Sequence, residues 1–252
     1  MGTRIERTPM GTLSEIKTVF FDVGSTLIDA DPDIDGTFYE VATTRGHEVE
    51  LEAISACLPE VNRFYEREYL RDGDFWCSHE GSVEMYLEMY RYLSHLTGLG
   101  ADAEGIAHAV NEAYCQPSYW RILDDVIPCL KELKRRHLRL GIVSNWSSNL
   151  ESLIRDLRLA PYFDEIVSSA DVGYRKPDPM IFTIALERMG VNASETLHVG
   201  DRPDADGVGA EAAGIRPVIV DRAGMHYSCG FTVVSSLRDL ASLLDQEMQA
   251  NG

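Results

Sequence analysis

The apolar positions of this chain fall into two rhythms. Short apolar runs closed by Gly, Ser or Asp occur at 19–23, 138–143, 165–168, 196–199 and 217–220, with a last pair at Val233-Val234. Runs of this length, bounded by turn residues, are the pattern of strands buried on both faces of a parallel sheet. Between them, positions 126–137, 150–157, 178–189, 205–213 and 237–248 follow the three-to-four repeat that predicts helices. The helix at 178–189 opens with Pro179 in its first turn, and the one at 205–213 is stopped by Gly214. The segment after the first strand breaks this alternation. Asp29 to Gly36 is a polar loop, and 37–45, 51–70, 82–97 and 103–115 are predicted helices, separated by Gly46, Asp72-Gly73-Asp74 and Gly98-Leu99-Gly100. In the third of them Val83, Tyr86, Leu87, Tyr90, Leu93 and Leu96 form one apolar stripe. Strands alternating with helices mean βαβ crossovers, so the expected architecture is α/β. It is a Rossmann-like, doubly wound, mostly parallel sheet built from residues 1–30 and 121–252, with a helical cap domain, 31–120, inserted in it.

Composition narrows the choice of partners. The 252 residues, 44% of them hydrophobic, suffice for one good core and allow one or two domains. No apolar run reaches the roughly 18 residues of a membrane span, and residues 1–14 are polar without an apolar secretory core. The five cysteines, Cys57, Cys77, Cys115, Cys129 and Cys229, are widely spaced and follow no metal-binding pattern. They are expected to be reduced and mostly buried, which makes a cytoplasmic address the expectation. Forty-one acidic residues against 23 basic ones give a net charge of −18. Such a field repels polyanions and argues against nucleic acid or an anionic membrane as partner. A small phosphate ester is compatible with it, because local donors and a metal suffice to hold one. Most aromatics of the helical segment are expected in its core, with Phe75, Trp76, Tyr119 and Trp120, at its loops, the ones placed to face a substrate.

The polar residues that end the strands are the candidates for chemistry. Asp22 closes the first apolar run, Ser144-Asn145 closes 138–143, and Asp201 follows Gly200, with Asp206 five residues on. Lys176 stands in the loop after 165–168. In a doubly wound sheet such ends converge on one crevice. Together they suit phosphoryl transfer. One carboxylate can accept the phosphoryl group, and one or two carboxylates can hold Mg²⁺. A hydroxyl and a lysine can donate to the phosphoryl oxygens, and the turn Gly24-Ser25-Thr26 can offer backbone N–H groups to an anion.

Four motifs in this order are similar to those of the haloacid dehalogenase superfamily. Asp22-Val23-Gly24-Ser25-Thr26 resembles its Asp-x-Asp-x-Thr, and Ile142-Val143-Ser144-Asn145 its strand ending in Ser or Thr. Arg175-Lys176-Pro177-Asp178-Pro179 resembles its Lys-Pro-Asp-Pro, and Gly200-Asp201 through Asp206 its Gly-Asp-x-x-x-x-Asp. The helical insertion resembles the family's first-position cap. The resemblance implies a Mg²⁺-dependent hydrolase of small phosphorylated metabolites that works through an aspartyl-phosphate. By it, Asp22 is the nucleophile and a metal ligand, with Ser144 and Lys176 holding the phosphate. Asp201, Asp206 and the carbonyl of Gly24 complete the metal site. Ser25, Thr26 and Asn145 line the phosphate-binding loops.

One departure matters. Gly24 stands where the family's phosphatases carry the aspartate that protonates the leaving group. General acid–base help of that kind gives a rate factor of about 10² to 10⁴. The site therefore expects good leaving groups, another acid or weak turnover; Asp204, Asp33 and Asp35 are the possible substitutes. Two alternatives stay open: a phosphate-ligand binder without turnover, and a 2-haloacid dehalogenase, against which the metal-type fourth motif argues.

Overall fold

In the computed structural model, which describes residues 16–71, 73–225 and 229–250, strand β1 (Thr18–Phe21) lies at the centre of a sheet. It pairs in parallel with β4 (Arg139–Ser144) on one side and β6 (Thr196–Gly200) on the other. Outside β4 lies β5 (Glu165–Ser168), and outside β6 lie β7 (Arg216–Val220) and β8 (Thr232–Val234). Every pairing in this six-stranded sheet is parallel, so the α/β architecture is as expected. Residues 1–15, assigned above to the core, and Asp72 of the expected turn lie outside the described residues.

The sheet explains why β1 is apolar throughout. Val19 and Phe21 pack on one face with α5 (Val126–Arg135), α6 (Leu150–Asp156) and α10 (Arg238–Ala250). Phe20 packs on the other with α8 (Pro179–Met189) and α9 (Val208–Ala212). All three side chains are fully buried. Successive strand residues point to opposite faces, so helices on both faces require apolar residues at every position.

The excursion after β1 begins differently from the polar loop expected at 29–36. Ile28–Ala30 form strand β2, which pairs antiparallel with β3 (Trp120–Ile122). The chain thus leaves the sheet region and returns to it through one hydrogen-bonded ribbon. The first helix also starts earlier, with α1 at Ile34–Thr44. Helices α2 (Leu51–Arg71), α3 (His79–Leu96) and α4 (Ala103–Tyr114) follow. This bundle buries its own apolar cluster, including Phe38, Ile54, Leu93, Ile106 and Val110. The segment expected to be one helix at 205–213 is a π-helical turn, Pro203–Gly207, running into α9.

A latch ties the first turn to the far end of the chain. Arg222, just past β7, donates to the carbonyls of Ser25 and Thr26 at 3.3 and 3.1 Å and to Asp125 at 2.7 and 3.0 Å. Asp125 also accepts from Ser236 Oγ (2.7 Å) and from the Leu237 amide (2.9 Å) at the approach to α10. Burial alone would raise this carboxyl, but Arg222, Ser236 and Leu237 outweigh it and hold it below its ordinary value of 3.8. Removing one partner of a buried ion pair costs about 3–5 kcal/mol, and the half-open side of Arg222 places this pair near the lower end. Asp125→Ala is expected to lose about 2–4 kcal/mol at pH 7 in urea unfolding. A depressed carboxyl contributes fully above its unfolded value, and that contribution is lost as pH falls through the folded one. The deficit of the variant should therefore shrink as pH falls below the ordinary value of 3.8.

Candidate active site

The strand order puts a topological switch beside β1, since the chain adds β4 and β5 on one side and β6 to β8 on the other. Crevices open at such points, outside the carboxyl ends of the strands. Here Asp22 follows β1, Ser144 ends β4 and Asp201 follows β6. Lys176 comes from the loop between α7 (Ser169–Val172) and α8, and Asp206 from the π-helical turn. All five line one cavity of about 200 Å³, together with Gly24, Ser25 and Asn145.

The side chains interlock. The Lys176 ammonium, 2% exposed, donates to Asp22 Oδ1 and to Asp206 Oδ1, both at 2.6 Å. Ser144 Oγ donates to the same Asp22 oxygen at 2.8 Å. His198, wholly buried in β6, contacts Asp206 Oδ1 at 2.8 Å through Nε2, and the Arg202 amide donates to Asp206 Oδ2 at 3.0 Å. Asn145 grips the backbone of Lys176 from both sides, accepting its N–H at 2.7 Å and donating to its carbonyl at 3.0 Å. Gly200 is required by the approach of Asp206, because a Cβ at residue 200 would collide with that carboxylate.

Electrostatics follow from this packing. Burial would lower the Lys176 ammonium, but Asp206 and Asp22 beside it hold it above the ordinary lysine range. Burial would raise Asp206, but Lys176 and His198 outweigh it and keep that carboxyl ionised. Burial lowers His198, so its imidazole is neutral with Nε2 donating to Asp206. Asp201 has no such support. Burial, and then the charges of Asp22 and Asp206, push its carboxyl up to about 8. Three acids share this pocket with one ammonium, a surplus of acidic groups over cations.

A hard divalent cation fits that surplus. Asp22, Asp201 and Asp206 each offer an oxygen, all within 4.8 Å of one another. Mg²⁺ takes oxygen donors and is commonly held by one or two carboxylates plus phosphate oxygens and water. Both oxygens of Asp206 are already engaged by protein donors, so Asp22 and Asp201 are the freer ligands.

Some expected residues sit elsewhere. Thr26 is buried and does not line the cavity. Its amide turns back to the Val23 carbonyl and its own carbonyl accepts from Arg222, so it holds the turn rather than meeting an anion. The Ser25 amide is likewise committed, to the Ile28 carbonyl at 2.9 Å. None of the possible substitute acids lines the crevice. Asp204 is paired with Arg202 at 2.8 Å, and Asp33 and Asp35 lie at the start of α1. Among the aromatics expected to face a substrate, Trp76 lines the crevice, while Phe75, Tyr119 and Trp120 do not. Tyr65, Tyr69, Tyr86, Trp146 and Arg202 line it too. The guanidinium groups of Arg175 and Arg202 both lie over the ring of Tyr69, 4.7 and 4.9 Å from its centre. That contact binds α2 to the loops of the sheet. A histidine inside the apolar run Leu197-His198-Val199 was the one sequence signal of the support beneath Asp206.

The sequence matches the family model described as haloacid dehalogenase-like hydrolase over residues 16–214. The chain belongs to this family of hydrolases. Among relatives, the haloacid dehalogenase-like hydrolase domain-containing protein 3 of Homo sapiens is 29% identical over 210 residues, 82% of each chain. Its namesake from Danio rerio is 38% identical over 117 residues, 46% of this chain and about half, 48%, of that one. The ribulose-1,5-bisphosphate 5-phosphatase of Halopiger xanaduensis is 30% identical over 207 residues, covering 81% of this chain and 84% of that one. Among solved structures, the HAD-hydrolase YfnB of Bacillus subtilis superposes with a TM-score of 0.73 at 21% identity, over 91% of this chain and 99% of that one, which shows a shared fold.

Gly200→Ala tests the packing beneath Asp206. Overpacking of this kind costs about 1–3 kcal/mol, so the urea midpoint should fall; an unchanged midpoint would mean that the π-helical turn moves aside freely.

Proposed function

We propose that this hydrolase cleaves small phosphate monoesters in the presence of Mg²⁺, with Asp22 as nucleophile. The observation that carries the reading is a carboxylate gripped on one oxygen by Ser144 and Lys176, in the same cavity as a cluster of acids suited to a divalent cation. The phosphatase relative from Halopiger xanaduensis supports the reaction class.

The residues divide the reaction between them. Lys176 and Ser144 hold Asp22 on Oδ1, which leaves Oδ2 to attack phosphorus. The new bond gives an aspartyl-phosphate, and the bond from phosphorus to the alcohol oxygen breaks, its electron pair leaving with that oxygen. Water then attacks phosphorus, the bond to Asp22 breaks, and inorganic phosphate departs. Lys176 and Ser144 are placed to donate to the phosphoryl oxygens as charge builds there. Asn145 fixes the backbone of Lys176, and Asp206, backed by His198, fixes its ammonium. Mg²⁺, held by Asp22 and Asp201 with Asp206 and the Gly24 carbonyl alongside, would offset the negative charge of the phosphoryl group. The helices of residues 31–120 act as a cap over this crevice, contributing Tyr65, Tyr69, Trp76 and Tyr86.

Two measurements test this. Asp22→Asn should reduce hydrolysis of an activated aryl phosphate to background, with the unaltered protein active only when Mg²⁺ is supplied. Binding of the ester without turnover in the unaltered protein would instead favour a non-catalytic phosphate binder. Residue 24 has room for a side chain, since a Cβ there would meet only Trp146 at 3.8 Å. Gly24→Asp should therefore speed hydrolysis of alkyl phosphates, by up to about 10² if the missing acid limits the rate; no gain in a folded variant would show that it does not.

A further inference from the structure

A second, larger cavity of about 480 Å³ adjoins the crevice. The two share Trp76, Tyr86 and Trp146, so these rings form the threshold between them. The walls of the larger cavity are a continuous run of aromatic contacts. Trp76 meets Tyr86 at 5.7 Å between ring centres, Tyr86 meets Tyr90 at 6.1 Å, and Tyr90 meets Tyr114 at 6.4 Å. Tyr114 then meets Trp120 at 5.5 Å, and Trp120 meets Trp146 at 5.2 Å. Among the described residues, no Lys, Arg, Asp or Glu lines this cavity.

We propose that the substrate is the phosphate ester of an uncharged aromatic alcohol, its ring system seated in this aromatic cavity while its phosphate meets Asp22 and Lys176. The inference rests on the phosphatase reading above and names the leaving group.

Three observations support it. The first is chemical. A second phosphate, a carboxylate or an ammonium on the leaving group would lose its water here with no Lys, Arg, Asp or Glu to meet it, His79 being the one histidine in the lining. A polyhydroxylated sugar would face mostly ring surface, with His79, Asn111, Ser147, Asn149 and the tyrosine hydroxyls as its side-chain hydrogen-bond partners. An aromatic ring system gains edge-to-face and stacked contacts with walls of this kind. The second is size. A cavity of about 150 Å³ lined by apolar side chains holds benzene, so the space here suits two or three fused rings.

The third concerns the bond that breaks. The residues common to both cavities are Trp76, Tyr86 and Trp146, so no carboxylic acid stands at the crossing, and Trp146 lies 3.8 Å from where a side chain at residue 24 would begin. As the oxygen of Asp22 bonds to phosphorus, the alcohol oxygen must leave with its electron pair and take its proton from water. A phenolic oxygen, with a pKa near 10 as in tyrosine, leaves far more readily than an alkoxide, whose conjugate acid lies close to the roughly 15.7 of water. An aromatic substrate thus suits both the walls and the absence of an acid at Gly24.

The test separates the pocket from leaving-group acidity by comparing primary alkyl esters. With Mg²⁺, kcat/KM for 1-naphthylmethyl phosphate should exceed those for glycerol 3-phosphate and glucose 6-phosphate at least tenfold. Equal values, or a preference for either polar ester, would overturn the inference. In parallel, calorimetric titration with 1-naphthalenemethanol, which needs no turnover, should show saturable binding, at least fivefold weaker in Val83→Trp and in Asn111→Trp, which fill the cavity from two walls. Absence of saturable binding would overturn the inference, as would binding indifferent to both substitutions. If no ester is hydrolysed at all, the phosphatase reading fails and the titration alone decides whether the cavity takes aromatic alcohols.

Discussion

A single buried ammonium holds this site together. Lys176 lies between Asp22 and Asp206, at 2.6 Å from each, with almost no exposure to solvent. Removing an ammonium or a carboxylate from water is strongly unfavourable unless partners replace the lost hydration. Each of the three groups is the replacement for the others. Their mutual dependence also fixes three separate loops, those after β1, before α8 and after β6, in one arrangement. The next layer is neutral and directional. Asn145 clasps the Lys176 backbone, while His198 and the Arg202 amide anchor Asp206. The position of Asp22 thus depends, through Lys176, on residues that do not contact Asp22 themselves.

Around this charged centre, the two parts of the chain contribute different chemistry. The parallel sheet supplies charge, because strand ends at a topological switch point place polar side chains side by side. The helical bundle supplies aromatic surface. Tyr69, in contact with Arg175 and Arg202, is where the two meet. Cation–π contacts of this kind are favourable without demanding that the guanidinium groups abandon water entirely. The bundle can therefore rest against the most charged part of the molecule with apolar rings.

The parts of the molecule written in strong local patterns were legible from the sequence. The apolar runs ending in Asp22 and Ser144 announced buried parallel strands, and the crevice was announced because several strands end in polar residues of complementary types, which a turn-capping role for Asp22 alone would not explain. The β2–β3 ribbon was not legible. Ile28 and Asp29 sit in a stretch too short and too polar for a period-2 signal, and the pairing joins residues about ninety positions apart. Thr26 and Ser25 misled for a related reason. Their motif suggested amides pointing at an anion, but the turn closes on itself through Val23 and Ile28. The aromatic wall was half hidden. Tyr86 and Tyr90 belong to a helical stripe whose repeat predicts core packing, and only the three-dimensional neighbourhood of Trp120 and Trp146 shows that the stripe also borders a void.

The same wall makes the molecule its own reporter. The chain contains three tryptophans, and all three, Trp76, Trp120 and Trp146, border the larger cavity. Intrinsic fluorescence excited at the indole band therefore originates at this one place, with no background from indoles elsewhere in the fold. Any change in its polarity, hydration or contents registers in the emission of the untouched protein, without a label.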